Sequence, residues 1–232
     1  MKQFSNKHGI MLILTVVIST IIIAITAIMY ETETYRFYKF KNKDNVIVVI
    51  PIFTSTAYQK HGFYDYYRSE CNSDCLSLSI NYQLNRTSSK DAVEVLKWYK
   101  FKMITDIDVN NNPKILLEYK TVIILHNEYV TQNEFNAITS HPNVIYLYPN
   151  ALYGKVNYDN YKITLIRGHG FPESEIANGF DWKDDNHDME YDTKCLNWNF
   201  YKISNGYMLN CYPELVIKQR VDILKKLDEI LQ

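Results

Sequence analysis

The residues best suited to chemistry lie together in residues 121–131, which read Thr-Val-Ile-Ile-Leu-His-Asn-Glu-Tyr-Val-Thr. His126 and Glu128 are an imidazole and a carboxylate two positions apart. On extended backbone such a pair shares one face, so a proton acceptor and an anionic oxygen would meet in one crevice. The residues before them, Val122, Ile123, Ile124 and Leu125, are uniformly apolar and too few for a helix. They predict a strand buried on both faces, as in a parallel sheet. In open α/β sheets the loops beyond the carboxyl ends of such strands build the ligand site. The plain alternative is a polar turn leading into a helix capped by Thr131.

Other chemistries are excluded at this position. No Gly-x-Ser-x-Gly elbow occurs, and the four cysteines, Cys71, Cys75, Cys195 and Cys211, lie elsewhere, which argues against covalent catalysis after this strand. There is no phosphate-cradling glycine-rich loop. Asp184, Asn186 and Asp188 alternate as in a calcium loop, but Met189 stands where the sharp turn needs glycine and no glutamate closes the loop. The segment from Asp181 to Asp192 therefore reads as a solvated acidic loop.

The elements around this stretch imply an α/β domain. The chain has 232 residues, 47% hydrophobic and 22% charged, with a net charge of −1, which suits one globular domain and gives no nucleic-acid footprint. Strands are expected at Val46–Phe53, Leu76–Tyr82, Lys102–Val109, Thr121–Leu125 and Asn143–Tyr148. Helices are expected near Gly62, from Ser88 or Ser89 through Trp98, at Pro113–Tyr119 and at Gln132–Ser140. This alternation predicts a Rossmann-like or flavodoxin-like three-layer domain with a central parallel sheet. Hairpins are added in the second half, at Tyr153–Tyr158 with Lys162–Arg167 and at Asn197–Ile203 with Tyr207–Cys211 around Asn205-Gly206. An amphipathic helix over Glu214–Leu231 closes the domain.

Residues 9–30 carry no charge and are long enough to cross a hydrocarbon core of about 30 Å. The apolar run is longer than a signal-peptide core and lacks a clear small-residue cleavage site, so it reads as an uncleaved anchor in contact with membrane lipid. The expected organisation is a tail over 1–8, a transmembrane anchor over 9–30, a linker over 31–44 and the domain over 45–232. Lys2 and Lys7 precede the span, while Arg36, Lys39, Lys41 and Lys43 follow it, and counting them favours a cytoplasmic domain. The cysteines argue the other way: Cys71 with Cys75, and Cys195 with Cys211 flanking a hairpin, make two local bridges. Asn85-Arg86-Thr87 is also a glycosylation acceptor pattern. Because the basic residues lie beyond Glu31 and Glu33, the cysteines decide for an extracytoplasmic domain. Buried thiols, or a zinc site on Cys-x3-Cys without a matching histidine pair, are the alternatives.

Residues 46–156 resemble the catalytic domain of the N,N-dimethylformamidase large subunit, through short motifs in the same order. The family's Thr-x-x-Ala-Tyr-Asn is matched by Thr54, Ala57, Tyr58 and Gln59, followed by Gly62 and Tyr64. Its Val-Ser-Phe-Asp-Arg-Pro-Tyr is matched by residues 76–82, ending at Tyr82, with Ile80-Asn81 in place of Arg-Pro. Its Gly-His-Asp-Glu-Tyr-Trp is matched by residues 125–130, and its Gly-Ala-Asn-Ala by residues 148–151. The resemblance implies a class I glutamine-amidotransferase-like fold. It also implies iron held by Tyr58, Tyr82 and Glu128, with His126 and Asn150 as catalytic residues acting on a small amide. Phenolates and a carboxylate are hard anionic donors suited to trivalent iron. The contrasting expectation is an anchored, non-catalytic binding module that keeps the fold.

Overall fold

The computed structural model describes residues 2–31, 34–184 and 197–232. Cys195, and with it the expected Cys195–Cys211 bridge, lies outside the described residues, as does the acidic loop beyond Asp184. In chain order the elements are α1 (Lys2–Glu31), β1 (Val46–Ile50), α2 (Ile52–Ala57), α3 (Phe63–Tyr67), β2 (Ser77–Ser79), α4 (Lys90–Trp98), β3 (Lys102–Thr105), α5 (Asp106–Asn111), β4 (Thr121–Ile124), β5 (Tyr129–Val130), α6 (Gln132–Ser140), β6 (Val144–Tyr146), β7 (Gly154–Asp159), β8 (Lys162–Arg167), β9 (Phe200–Ile203), β10 (Gly206–Leu209) and α7 (Val221–Ile230).

The main sheet has the order β3-β1-β4-β6-β10-β9, parallel throughout except for the edge strand β9. Alternation along its strands feeds two cores. Val48, Ile123 and Ile145 pack on one face with Leu96 of α4 and Leu224 and Leu227 of α7. Val49, Val122, Ile124 and Tyr146 pack on the other with Val109 of α5 and Ile138 of α6. Helices thus cover both faces, which is why the residues before His126 are uninterruptedly apolar. Each fully buried Ile or Val contributes about 1.5–3 kcal/mol.

Several strands are shorter than the apolar runs suggest, and local chemistry explains where they stop. Pro51, which cannot donate to a ladder, ends β1, and Asp106 accepts from the Phe53 amide at 2.7 Å at the start of α2. Thr105 and Asp108 form a capping box, so the run expected as a strand to Val109 turns into α5. The segment near Tyr82 does not join the main sheet. β2 pairs antiparallel with β8 in a second, mixed sheet of order β2-β8-β7-β5, so that sheet draws on both halves of the chain.

The late hairpin is likewise integral: β10 pairs in parallel with β6, and Gly206 pairs with Ile203 so that Ser204-Asn205 is the turn. A Cβ on Gly206 would lie 1.8 Å from the Val144 carbonyl oxygen, so close strand approach requires glycine there. Residues 34–43, expected as linker, pack on the domain: Tyr35 is buried, and Tyr38 donates to Asp228 at 2.8 Å. Between Gly9 and Ala27, α1 is apolar, exposed and long enough to cross a membrane. Its Thr15 and Thr20 hydroxyls bond back to carbonyls four residues earlier, at 2.8 and 3.0 Å, so these two donors are satisfied within the helix.

Candidate functional site

The loops after three adjacent parallel strands, β1, β4 and β6, converge at their carboxyl ends. The first carries Tyr58 at the end of α2, the second His126 and Glu128, and the third Asn150. Backbone tethers fix the arrangement. The Gly154 amide donates to the Glu128 carbonyl at 2.7 Å, the Leu152 amide to that of Asn127 at 2.8 Å, and the Tyr129 amide to the Thr54 hydroxyl at 3.1 Å. Asn127 turns away, accepting from the Leu125 amide and reaching Glu134, so His126 and Glu128 share the opposite side. Thr131 does cap α6, accepting from the Glu134 amide at 3.2 Å. The turn into the helix and the convergent polar pair are therefore the same loop.

Glu128 is fully buried and is the hub. Tyr58 Oη donates to Oε2 at 2.6 Å, His126 Nε2 lies 3.3 Å from the same oxygen, and His169 Nε2 bonds to Oε1. Burial alone would raise the carboxyl pKa, but the hydrogen bonds and charges of His126 and His169 outweigh it and hold the group below the usual carboxylate range. His126 Nδ1 faces the Thr87 carbonyl, which can only accept, so Nδ1 carries a proton and Nε2 is the nitrogen at which the ring gains or loses one. Asn150 Nδ2 lies 2.6 Å from that Nε2, and its Oδ1 is buried with no hydrogen-bond partner among the described residues. Tyr148 stacks on the His126 ring at 5.5 Å, and Tyr212 meets its edge.

Of the five residues singled out in the sequence, Tyr58, His126, Glu128 and Asn150 come together. Among the described residues no hydrogen bond ties Tyr82 to them. It is 59% exposed, on the segment after β2 whose backbone is tied to α2 through Asn81 and Gln83. Sequence reading missed His169, which reaches Glu128 from the turn after β8. Its signal was the Gly168-His169-Gly170 triplet, an imidazole between two turn formers.

A buried carboxylate ringed by a phenol and imidazoles is a donor set that fits a metal ion, with Tyr58 and Glu128 the innermost oxygens. A second cluster lies apart from it. Cys71 and Cys75 are at disulfide distance, and a ring nitrogen of His61 lies within 4.8 Å of both sulfurs. The histidine that the Cys-x3-Cys spacing lacked in sequence is thus supplied by the loop before α3. These atoms could hold a soft cation only with both thiols reduced. Cys211 is buried.

The model of the N,N-dimethylformamidase beta subunit-like C-terminal family matches residues 33–187. The chain belongs to that family. The matched region takes in β1 through β8, the whole Glu128 cluster and the turn bearing His169. No curated protein matches the chain.

Proposed function

We propose that this N,N-dimethylformamidase-like domain hydrolyses the C–N bond of a small amide at the Glu128 centre, using an iron ion, and that α1 holds it on the outer face of a membrane. The observation that carries the reading is the convergence of Tyr58, His126 and His169 on one fully buried carboxylate at the carboxyl edge of a parallel sheet. Tyr58 and Glu128 would hold the ion; the family resemblance implies Tyr82 as a third donor, but it is 59% exposed while Glu128 is fully buried. Bound there, iron would supply a Lewis acid that activates water and polarises an amide carbonyl.

The protein's own residues carry the rest. His126, fixed in one tautomer by Thr87, presents Nε2 to take a proton from the attacking water and return it to the departing amine. Asn150 Oδ1, buried and without a partner among the described residues, accepts the N–H of a substrate amide and so orients it. Burial of the cluster excludes bulk water and strengthens each of these interactions. The outer-face location is supported by Cys71 and Cys75 at disulfide distance, a bond that persists in oxidising compartments. A bilayer-spanning anchor is supported by the exposed apolar surface of α1.

Elemental analysis and amine release from small formamides and acetamides test the reading on the purified full chain. About one iron per chain with amine production supports it. A metal-free, inert protein overturns it in favour of an anchored binding module, the reading that the exposed position of Tyr82 favours.

A further inference from the structure

His169 occupies a turn position that its chemistry does not favour. The turn from Gly168 to Phe171 is closed by reciprocal backbone hydrogen bonds of 3.0 Å. Both central residues have positive φ, 51° for His169 and 70° for Gly170, as in a type I′ turn. Asn, Asp or Gly is the usual first central residue of such a turn, because a larger side chain is strained there. Histidine is tolerated at such a position, and here surrounding contacts hold its ring in place. Those contacts are Glu128, which binds Nε2, and an aromatic enclosure in which Tyr129 stacks at 5.7 Å while Tyr153, at 4.4 Å, and Tyr67, at 5.3 Å, meet the ring edge-on.

The same residue, though buried, borders a cleft. An open cleft of about 640 Å³ is lined by Tyr66, Tyr67, Cys71, His169, Gly170 and Ser174. His169 therefore stands between a fully buried carboxylate and the space through which a ligand could arrive. Tyr82, by contrast, is 59% exposed on the segment after β2.

We propose that His169 is the third protein donor to the metal ion, completing a Tyr58, Glu128 and His169 set, and that Tyr82 is not a donor in this chain. This rests on the metal-dependent reading above. Exchanging a phenolate for an imidazole removes one negative charge and one hard donor from the set. The site then becomes better suited to a divalent than to a trivalent ion. Any ferric form carries one phenolate, from Tyr58.

The test uses the full chain in detergent, stripped with a chelator and reloaded with ferrous iron without oxygen, with bound metal measured by equilibrium dialysis and elemental analysis. His169→Asn keeps the left-handed turn while removing the imidazole, and should weaken iron binding more than about 100-fold, beyond the roughly 10- to 100-fold typical of residues that only support a ligand. Tyr82→Phe should bind iron as the parent does and keep the phenolate colour after oxidation, whereas Tyr58→Phe should lose it. His169→Gly opens the site to the cleft, and added imidazole should restore its iron binding. Near-parental binding by His169→Asn, loss of binding in Tyr82→Phe, or failure of imidazole to rescue a folded His169→Gly would each overturn the assignment while leaving the metal-dependent reading intact. A parent protein that takes up no metal removes both.

Discussion

The Tyr58 hydroxyl lies 2.6 Å from Glu128 Oε2 across 70 residues of sequence, joining the loop after β1 to the loop after β4. Because β1 and β4 are adjacent in register, with Val46 opposite Thr121, the two loops leave the sheet side by side. Two of the proposed donors are therefore positioned by two adjacent, largely buried parallel strands.

Tyr58→Phe and Glu128→Gln should each weaken metal binding. Tyr58→Phe should also cost about 1.5–3 kcal/mol of stability in the metal-free protein, since it removes a hydrogen bond to a buried charged group. Urea unfolding of metal-free samples, alongside metal titration, separates the two effects.

His126→Ala should leave the metal content unchanged and lower any amide hydrolysis by about 100-fold, within the range for a positioned proton carrier. Parallel elemental analysis and amine release provide the check. Loss of metal would instead make His126 a donor.

Glu214 gives a pH dependence independent of metal. Its carboxylate accepts from the Asp91 amide at 2.6 Å at the start of α4 and from the Tyr148 hydroxyl. Burial pushes its pKa from the ordinary 4.5 up to about 7 despite those hydrogen bonds. The folded state thus holds a proton that the unfolded chain releases, so the contribution of Glu214 is fully present below about pH 4.5 and is lost as pH rises through about 7. The total loss is on the order of 3 kcal/mol at one proton per molecule. Glu214→Gln should flatten that decline, as measured by denaturant midpoints across the interval.

Gly154→Ala should disturb the His169 enclosure. The added Cβ would lie 2.6 Å from a ring carbon of Tyr129, whose ring stacks on His169. Destabilisation of about 1–3 kcal/mol is expected from this overpacking, visible as a lower melting temperature and, for the loaded protein, weaker metal retention.

If α1 is an uncleaved anchor, protein from the membrane fraction should retain Met1 or Lys2 at its N-terminus and resist extraction at high pH. An N-terminus beginning after Ala27 would identify α1 as a removed signal sequence instead.

The sequence by itself determined the parts that rest on local periodicity and local chemistry. The run from Val122 to Leu125 required a strand buried on both faces, Thr131 offered a helix start, and residues 9–30 required an apolar helix long enough to cross a membrane. The i, i+2 spacing of His126 and Glu128 put them on one side of the same loop, and the motifs around Tyr58 and Asn150 marked their places through the family resemblance. Tertiary structure decided what depends on pairing between distant segments. Whether residues near Tyr82 extend the parallel sheet or cross to a second sheet is a choice of partner, and Leu78 opposite Ile163 made it. His169 joined the cluster for the same reason: a Gly-His-Gly turn has no periodicity that points to Glu128, and only the antiparallel pairing of β7 with β8 and the parallel pairing of β7 with β5 carry it there. Periodicity reports which face of an element is buried, whereas the partner across that face is set by long-range packing that no single stretch of sequence contains.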